Sequence, residues 1–451
     1  MAKTKLNSVS GFPEFLPAEQ ILFNGMLEVV RKGFERFGFS PIETPAVERK
    51  DILMAKGGNE KEIYALSRLA AEPGESPETD LALHFDLTVP LARYVALYKN
   101  HLTFPFRRYQ IQKVWRGERA QAGRYREFYQ CDIDVIGRKT LSLLADAEIP
   151  SIIYHIFHEM AIGRFLIKIN NRKILQGYFQ DLGISPAQMT EVLRIIDKLE
   201  RTGKGRVTHE LIDFGLDEDK IRKALTLLCE QLSTNEMLAK LKDLPVKNNL
   251  FAQGVTELAQ VVEGVRTLGV PEDYFAVDLS IARGLDYYTG TIYETILVEQ
   301  PTIGSICSGG RYDDLTAFFT NEALPGVGIS IGLTRLVTQL LAADIVKAET
   351  ATVATVLITS MDEERISDYL RLSSLLRQAN IPTELYSEKA RLSEQLRYAN
   401  KKGFKLVVIA GAEEFSQASV QVKNMTNGQQ VICAITDLVG TVHNQLNSLS
   451  S

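Results

Sequence analysis

Residues 108–116, RYQIQKVWR, and residues 127–136, EFYQCDIDVI, decide the fold. Successive side chains of a strand point to opposite faces. Alternation along the first run puts Arg108, Gln110, Gln112, Val114 and Arg116 on one face and Tyr109, Ile111, Lys113 and Trp115 on the other. The second run groups Phe128, Gln130, Asp132, Asp134 and Ile136 against Tyr129, Cys131, Ile133 and Val135. Together they read as a hairpin with one apolar face and one face of Gln, Asp and Arg. Periodicity alone leaves two readings of the polar face open: a surface turned to water, as antiparallel sheets commonly have, or the floor of a binding site.

The joining segment favours the second. Within 107–126, Arg107, Arg108, Lys113, Arg116, Arg119, Arg124 and Arg126 stand against a single acid, Glu118. Guanidinium groups fork onto phosphate oxygens, so this enrichment suits a polyphosphate or an RNA end. The carboxylates beneath accept hydrogen bonds from an ammonium and donate none. The whole chain has 51 Lys and Arg against 56 Asp and Glu, a net charge of −5. Any nucleic-acid contact must therefore come from such a local patch.

Downstream, RGLDYYTG at 283–290 places Arg283 and Asp286 beside Tyr287 and Tyr288. Arg283 is a cation suited to neutralising charge that develops in phosphoryl or adenylyl transfer. The tyrosines offer hydroxyls and flat faces to a ring substrate. The alternative is a tyrosine-rich strand end packed into a core, with Arg283 and Asp286 as an internal pair. Two glycine clusters follow, CSGGRYDDL at 307–315 and GVGISIGLTRL at 326–336. Neither fits the dinucleotide fingerprint or the phosphate loop ending in GK[ST]. Their glycines suit an adenine ring lying on bare backbone, and Arg311 and Arg335 join Arg116 and Arg283 as cations for the same anion.

Around these motifs the chain of 451 residues, 45% hydrophobic, has length for two or three domains. Residues 17–37 read as a helix from Ile21, Leu22, Met26, Leu27, Val30, Phe34 and Phe37. GFSPIETP breaks it, 70–80 reads as a surface loop or hairpin tip, and LALHFDLTVPLARYVAL turns from strand to helix near Thr88 and Pro90. Residues 141–169 look helical, and 170–250 carry helical pattern without a strong strand signal, as an insertion between two halves of a catalytic unit. From 351 to 445 strands and helices alternate as a small α/β domain. Cys131, Cys229, Cys307 and Cys433 lie far apart and read as reduced thiols. His84, His101, His155 and His158 form no local metal-ligand spacing. No run of 18 apolar residues occurs and no apolar segment follows the N-terminal lysines, so a soluble cytoplasmic protein without membrane contact is expected.

From about residue 10 to 440 these motifs resemble the histidyl-tRNA synthetase family of class II aminoacyl-tRNA synthetases. FSPIETPAVE resembles the first class motif, RRYQIQKVWRGERAQAGRYREFYQCDIDVIG the second, and GVGISIGLTRL the third; RGLDYYTG and CSGGRYD resemble the two histidyl signatures. The resemblance implies an α+β fold: a catalytic core on a mostly antiparallel sheet with flanking helices, a helical insertion and a C-terminal α/β anticodon-binding domain. It places the core at 1–169 and 253–345, the insertion at 170–252 and the anticodon domain at 351–445. By the same resemblance Arg116 binds the ATP α-phosphate, Glu118 the adenosine side, Arg335 the far end of a bent ATP, and Arg283 assists attack at the α-phosphorus. Asp86, Thr88 and Gln130 fall where the family binds the histidine amino group, and Asp134, Tyr287 and Tyr288 where it holds the imidazole. Arg119, Gln121 and Arg124 belong to the loop that approaches the ATP and the tRNA end.

Implied partners are L-histidine, ATP carrying Mg2+ without a dedicated protein metal site, tRNA(His), and a second copy in a homodimer joined through the first motif. The implied reaction forms histidyl-adenylate and pyrophosphate, then charges the tRNA and releases AMP. A non-catalytic relative, the regulatory subunit of the first enzyme of histidine biosynthesis, is the alternative; such proteins generally lack the intact signatures and the anticodon domain. Ala120, Ala122, Thr334 and Ser10 depart from the commonest pattern, and FDLT and YQCDID resemble the eukaryote-like branch.

Overall fold

The computed structural model describes residues 6–55, 62–70, 78–119, 123–281, 288–313 and 315–449. The chain divides into two units, Met1–Pro13 with Met26–Val346, and Glu14–Gly25 with Lys347–Ser451. In chain order the strands of the first unit are β1 Ser40–Pro41, β2 Val47–Arg49, β3 Ala65–Ser67, β4 Glu78–Leu83, β5 Phe106–Trp115, β6 Glu127–Ile136, β7 Phe165–Asn171, β8 Phe275–Val277, β9 Thr291–Leu297, β10 Ser305–Tyr312 and β11 Gly326–Gly332. The second unit holds β12 Val356–Ile358, β13 Thr383–Leu385, β14 Leu406–Ile409, β15 Ser419–Asn424 and β16 Gln430–Ala434.

Eight strands form one sheet in the order β1-β5-β6-β11-β10-β9-β7-β8. β1 joins β5 and β8 joins β7 in parallel, while the remaining neighbours are antiparallel. The β5–β6 hairpin pairs Arg108 with Asp134, Gln110 with Asp132 and Gln112 with Gln130, as the alternation predicts. Directly paired residues share a face, so the register extends the polar face across the sheet. One row runs Gln110, Asp132, Ser330, Ser308, Glu294, Lys168; the next runs Arg108, Asp134, Gly328, Gly310, Ile292, Asn170. The opposite face carries Ile111, Cys131, Ile331, Cys307, Thr295 and Ile167 in a row.

That second face is the core. The helix Leu144–Glu159 presents Ile149, Ile152, Ile153, Ile156 and Phe157, all buried. Each such side chain contributes about 1.5–3 kcal/mol when removed from water. The helix Pro17–Arg36 buries Phe23, Met26, Val30 and Phe34, in agreement with its sequence periodicity. The Tyr109 hydroxyl on β5 donates to Glu35 of this helix at 2.8 Å.

The stretch 141–169, expected to be helical throughout, is helix only to Glu159. Gly163 turns the chain with φ +91°, and β7 follows. β7 is buried on both faces, which removes the apolar-polar alternation that marks a half-exposed strand. From Arg172 the segment is helical, through Arg172–Asp181, Pro186–Ile196, Leu199–Asp213, Glu218–Leu228 and Thr234–Asp243, and the helix Asn249–Thr267 runs across residue 252. Of the loop read at 70–80, residues 71–77 lie outside the described residues and 78–80 open β4. β4 ends at Leu83 and the helix Thr88–Tyr98 begins where the sequence places the change.

In the second unit the sheet order is β13-β12-β14-β15-β16. Val356, Ile358, Leu406 and Val408 face the helices Ile366–Gln378 and Leu438–Ser448 through Tyr369, Leu372, Leu376, Leu438 and Val442. Leu357, Val407 and Ile409 pack on the other side with Ala399 of the helix Leu392–Lys402. Strict alternation in short buried strands thus feeds two cores. Among the described residues no helix is long and apolar enough to cross a membrane.

Candidate active site

The polar face of the eight-stranded sheet is buried, not solvated: Arg108, Gln110, Gln130, Asp132 and Asp134 each expose less than a tenth of their surface. Burying such groups is costly unless each meets a partner or a ligand. At the arginine-rich end a cleft of about 310 Å3 is lined by Arg116, Glu118, Arg124, Tyr125, Phe128, Gln130, Ser330 and Arg335, together with residues 305–308 and Gly332. Arg116 is locked in place: its Nε donates to the Phe85 carbonyl at 3.0 Å, and its guanidinium carbon lies 5.1 Å from the Phe128 ring centre. Arg124 pairs with Glu118 at 3.4 Å. Gly332 opens the helix Leu333–Ala342, whose N-terminus adds backbone N–H dipoles to the cationic wall. Thr334, the departure in the third motif, accepts the Tyr129 N–H at 2.9 Å and ties this helix to β6.

Next to the cleft a recess is lined by Thr88, Asp132, Asp134, Tyr288, Tyr312, Gly328, Ile329 and Ser330. Arg108 Nη2 lies 2.5 Å from Asp134 Oδ2, and the Tyr312 hydroxyl donates to Asp134 Oδ1 at 2.7 Å. Burial raises the Asp134 carboxyl pKa, while Arg108 and Tyr312 pull it down. Asp132 is pushed up to about 7 by burial, against the pull of Arg108 and a Ser330 hydrogen bond. Burial also raises Tyr288 far above the usual phenol range, helped by the nearby carboxylates, so it stays a hydroxyl donor. Beyond Tyr288 a cavity of about 270 Å3 is lined by Ile281, Ile292, Tyr293, Glu294, Ser308 and Gly309.

Arg116, Glu118, Arg124, Gln130 and Arg335 therefore meet at one cleft, and Thr88, Asp134 and Tyr288 at the adjoining recess. Asp86 stands at the start of the helix Thr88–Tyr98, where its Oδ1 accepts the Val89 N–H at 3.1 Å; burial raises its pKa, and that hydrogen bond and the Arg116 charge oppose the rise. Arg119 is exposed. Gln121, Arg283 and Tyr287, with Ala120 and Ala122, lie outside the described residues.

Two expectations need correction. Arg311 does not join the anion-binding cations: it reaches from the apolar face to Asp146, with Nε at 3.0 Å from Oδ1, and donates to the Leu141 and Ser142 carbonyls. Its neighbour Tyr312 faces the site instead, a placement that period-two alternation through CSGGRYD makes legible. A glycine of each cluster also makes room for a side chain of the recess. A Cβ at Gly328 would stand 2.3 Å from Asp134 Oδ1, and one at Gly310 would stand 2.9 Å from the Tyr288 ring. Both positions keep bare backbone so that a side chain lining the recess can lie on it. Arg108, counted by sequence among the cations for a polyphosphate or an RNA end, is instead buried against Asp134.

A cavity of about 1250 Å3 lies on the other face, between β5 and β6 and the helices Leu144–Glu159 and Asn249–Thr267. Its walls are mainly apolar, through Phe104, Val135, Leu144, Val255 and Ala259. The cleft, with its converging cations and carboxyls, is the site chemistry selects. Among the described residues no group of three His, Cys, Asp or Glu is placed to hold a metal ion.

A mostly antiparallel sheet with a cationic nucleotide-sized cleft, an acidic recess and a separate α/β unit defines a class II aminoacyl-tRNA synthetase. The histidyl-tRNA synthetase family profile matches residues 11–336, and an anticodon-binding domain profile matches 353–445. The chain is 45% identical over 442 residues to a histidine–tRNA ligase of Clostridium tetani, covering 98% of each. To a histidine–tRNA ligase of Nostoc sp. it is 46% identical over 456 residues, covering 98% of this chain and 99% of the relative. The crystal structure of a histidyl-tRNA synthetase from Nostoc sp. superposes with a TM-score of 0.90 at 45% identity, covering 98% of this chain and all of that one. A Bacillus halodurans protein described as an ATP phosphoribosyltransferase regulatory subunit/histidyl-tRNA synthetase has a TM-score of 0.72 at 18% identity over 88% of this chain and 97% of its own, a likeness of fold alone. The chain belongs to the histidyl-tRNA synthetase family.

Proposed function

We propose that the cleft holds ATP and the recess holds histidine, so that the β5–β6 hairpin carries both substrates of one adenylation. The activity itself follows from the family: the chain is an ATP-dependent histidine–tRNA ligase. The observation that carries the division of the site is the sorting of charge, with guanidinium groups at the cleft and carboxyls at the recess.

In this reading the histidine carboxylate attacks the α-phosphorus, forming the acyl-phosphate bond as pyrophosphate leaves. Arg116, already fixed by Phe85 and Phe128, holds an α-phosphate oxygen; Arg335 takes the far phosphates and Glu118 the adenosine. Fixed cations stabilise the charge gathering on phosphate oxygens without reorganising. Arg283 adds a further cation at the α-phosphate by its match to the family signature. Thr88, Gln130 and Asp86 receive the amino group, and Asp134, Tyr288 and Tyr287 the ring. Arg108 and Tyr312 hold Asp134 in position, so it accepts a ring N–H without first turning. Magnesium arrives with ATP as part of the substrate.

The 3′-terminal adenosine hydroxyl of tRNA(His) then attacks the carbonyl and AMP leaves. Arg119, Gln121 and Arg124 approach that end, residues 170–252 embrace the acceptor arm, and residues 351–445 read the anticodon, the last supported by the profile match to 353–445. The core comprises 1–169 and 253–345. A cytoplasmic homodimer joined through FSPIETP completes the reading; β1 of that segment is the outermost strand of the eight-stranded sheet.

Exchange of labelled pyrophosphate into ATP, run with each standard amino acid, tests the proposal. Exchange with histidine alone, lost in Asp134→Ala and Arg116→Ala, is expected. Exchange driven by a different amino acid would overturn it.

A further inference from the structure

We propose that His84, with its ring uncharged, is a positioning residue for adenylation that holds Arg116 at the cleft through the Phe85 carbonyl. This rests on the reading above that Arg116 takes the α-phosphate, and it adds the residue that fixes Arg116 from behind.

His84 directly follows the last residue of β4 and is fully buried. Its backbone N–H donates to the Ala46 carbonyl and its own carbonyl accepts the Trp115 N–H, both at 3.0 Å. Its ring Nε2 lies 2.7 Å from the Lys113 carbonyl. A carbonyl only accepts, so Nε2 carries the ring proton and is the donor. The ring also packs 5.5 Å from the Trp115 ring, tilted by 32°. One residue thereby joins the first-motif segment to the end of β5.

The edge of the sheet explains why a polar ring stands there. β1 is the neighbour of β5 on that edge and pairs only with Arg108 and Tyr109. At Lys113 and Trp115 the bonds that a strand would make come from His84 instead, one to its carbonyl and one from its ring. An apolar side chain at 84 takes the ring bond away, and an unmet buried carbonyl is costly. Arg116 follows at the end of the strand. Its backbone N–H donates to the Arg126 carbonyl at 2.9 Å, and its Nε to the Phe85 carbonyl at 3.0 Å. The carbonyl that aims the guanidinium therefore belongs to the residue after His84, and the ties of His84 fix it against the strand that carries Arg116.

The surroundings keep the ring neutral. Burial lowers the His84 pKa, against the pull of the Lys113 carbonyl, Asp86, Glu48 and the Pro45 carbonyl. Nδ1 is buried with no hydrogen-bond partner among the described residues. The charged groups around it are already engaged: Glu48 of β2 pairs with Arg93 at 2.8 Å, Asp86 accepts the Val89 N–H, and the Lys113 ammonium turns to Glu127 at 2.6 Å. A second ring proton would leave a buried charge without a counter-ion of its own. The ring would then leave its place and release Phe85.

The test compares His84→Gln, whose side-chain amide can still donate to Lys113 and does not titrate, with His84→Phe, which keeps a ring and loses the donor. Histidine-dependent pyrophosphate exchange is measured per folded molecule at about pH 8, where the wild-type ring is neutral. His84→Phe should lose about 10- to 100-fold in kcat, the effect of shifting a catalytic group by about 1 Å, with the KM for histidine unchanged. His84→Gln should stay near wild type. Placed in Arg116→Ala, His84→Phe should cost nothing further, because it acts through that residue. A near wild-type rate in His84→Phe, equal losses in the two variants, or the same loss in the Arg116→Ala background overturns the proposal. So does a His84→Phe that cannot be recovered folded, which would make the ring part of the fold alone. Arg116→Ala exchanging at the wild-type rate would instead defeat the reading of the cleft.

A second arm reads the ring itself. Trp115 is the single tryptophan of the chain, and a protonated imidazole quenches an indole beside it. Wild-type emission should fall in acid with a midpoint below about 6.5, the value of a free imidazole, in a step absent from His84→Gln. The ratio of wild-type to His84→Gln exchange should fall with it. A ratio that stays level through the quench, or that falls without one, overturns the proposal.

Discussion

Two buried Arg–Asp pairs lie on opposite faces of one sheet and do different work. On the polar face Arg108 and Asp134 are strand neighbours, joined by Tyr312, and their carboxylate borders the recess. On the apolar face Arg311 ties β10 to Asp146 of the helix Leu144–Glu159 and to the carbonyls leading into it. Chemistry and burial are alike. How fully each is satisfied distinguishes them: among the described residues the guanidinium nitrogens of Arg108 are buried without a hydrogen-bond partner, as are Gln130 Oε1 and Asp132 Oδ1, while Arg311 donates to Asp146 and to the Leu141 and Ser142 carbonyls. A buried ion pair is thus weak evidence of function, while unmatched acceptors beside one are stronger evidence.

The largest effects should come from breaking either pair on one side. Arg108→Met and Arg311→Met each leave a buried carboxylate uncompensated and should cost about 3–5 kcal/mol of stability, read by denaturant unfolding. Equal stability loss with unequal activity per folded molecule would sharpen the comparison. Arg116→Ala, at the cleft, should lower the exchange rate by about two to three orders of magnitude with little change in unfolding midpoint. A near wild-type rate would remove Arg116 from the chemistry.

Asp132 adds a pH signature. Its folded pKa, about 7, lies above the value of about 3.9 for an unfolded chain. The folded state thus holds the proton more tightly, and Asp132 costs stability as pH rises from the unfolded value through the folded one. Asp132→Asn removes that cost. Its melting temperature should exceed wild type most at about pH 8, and the gain should shrink toward about pH 4. A gain that does not vary with pH would contradict that folded pKa. Smallest of all, Tyr312→Phe removes one donor from Asp134 and should raise the KM for histidine by roughly the worth of one hydrogen bond, about 1 kcal/mol, without moving the KM for ATP.

Much of this was legible in the chain. The hairpin register, the polar face and the cleft residues Arg116, Gln130 and Arg335 follow from alternation and from motifs whose spacing survives folding. Arg311 was misplaced because a cation in a glycine-rich signature was counted by type; parity along the strand puts Tyr312 in the site and Arg311 behind it. β7 escaped notice because both its faces are buried, which erases the period of two. The hydroxyl of Ser330, which accepts from Gln130 Nε2 at 2.7 Å, comes from a distant strand, and no local pattern announces a contact made by sheet order.

The most direct test of two faces with two roles replaces each pair whole. Arg108→Met/Asp134→Leu and Arg311→Met/Asp146→Leu both exchange ions for apolar volume, which buried pairs often tolerate. Histidine-dependent pyrophosphate exchange, measured on folded protein of each, should be lost in the first and kept in the second. Equal exchange by both, or loss only in the second, would contradict the account.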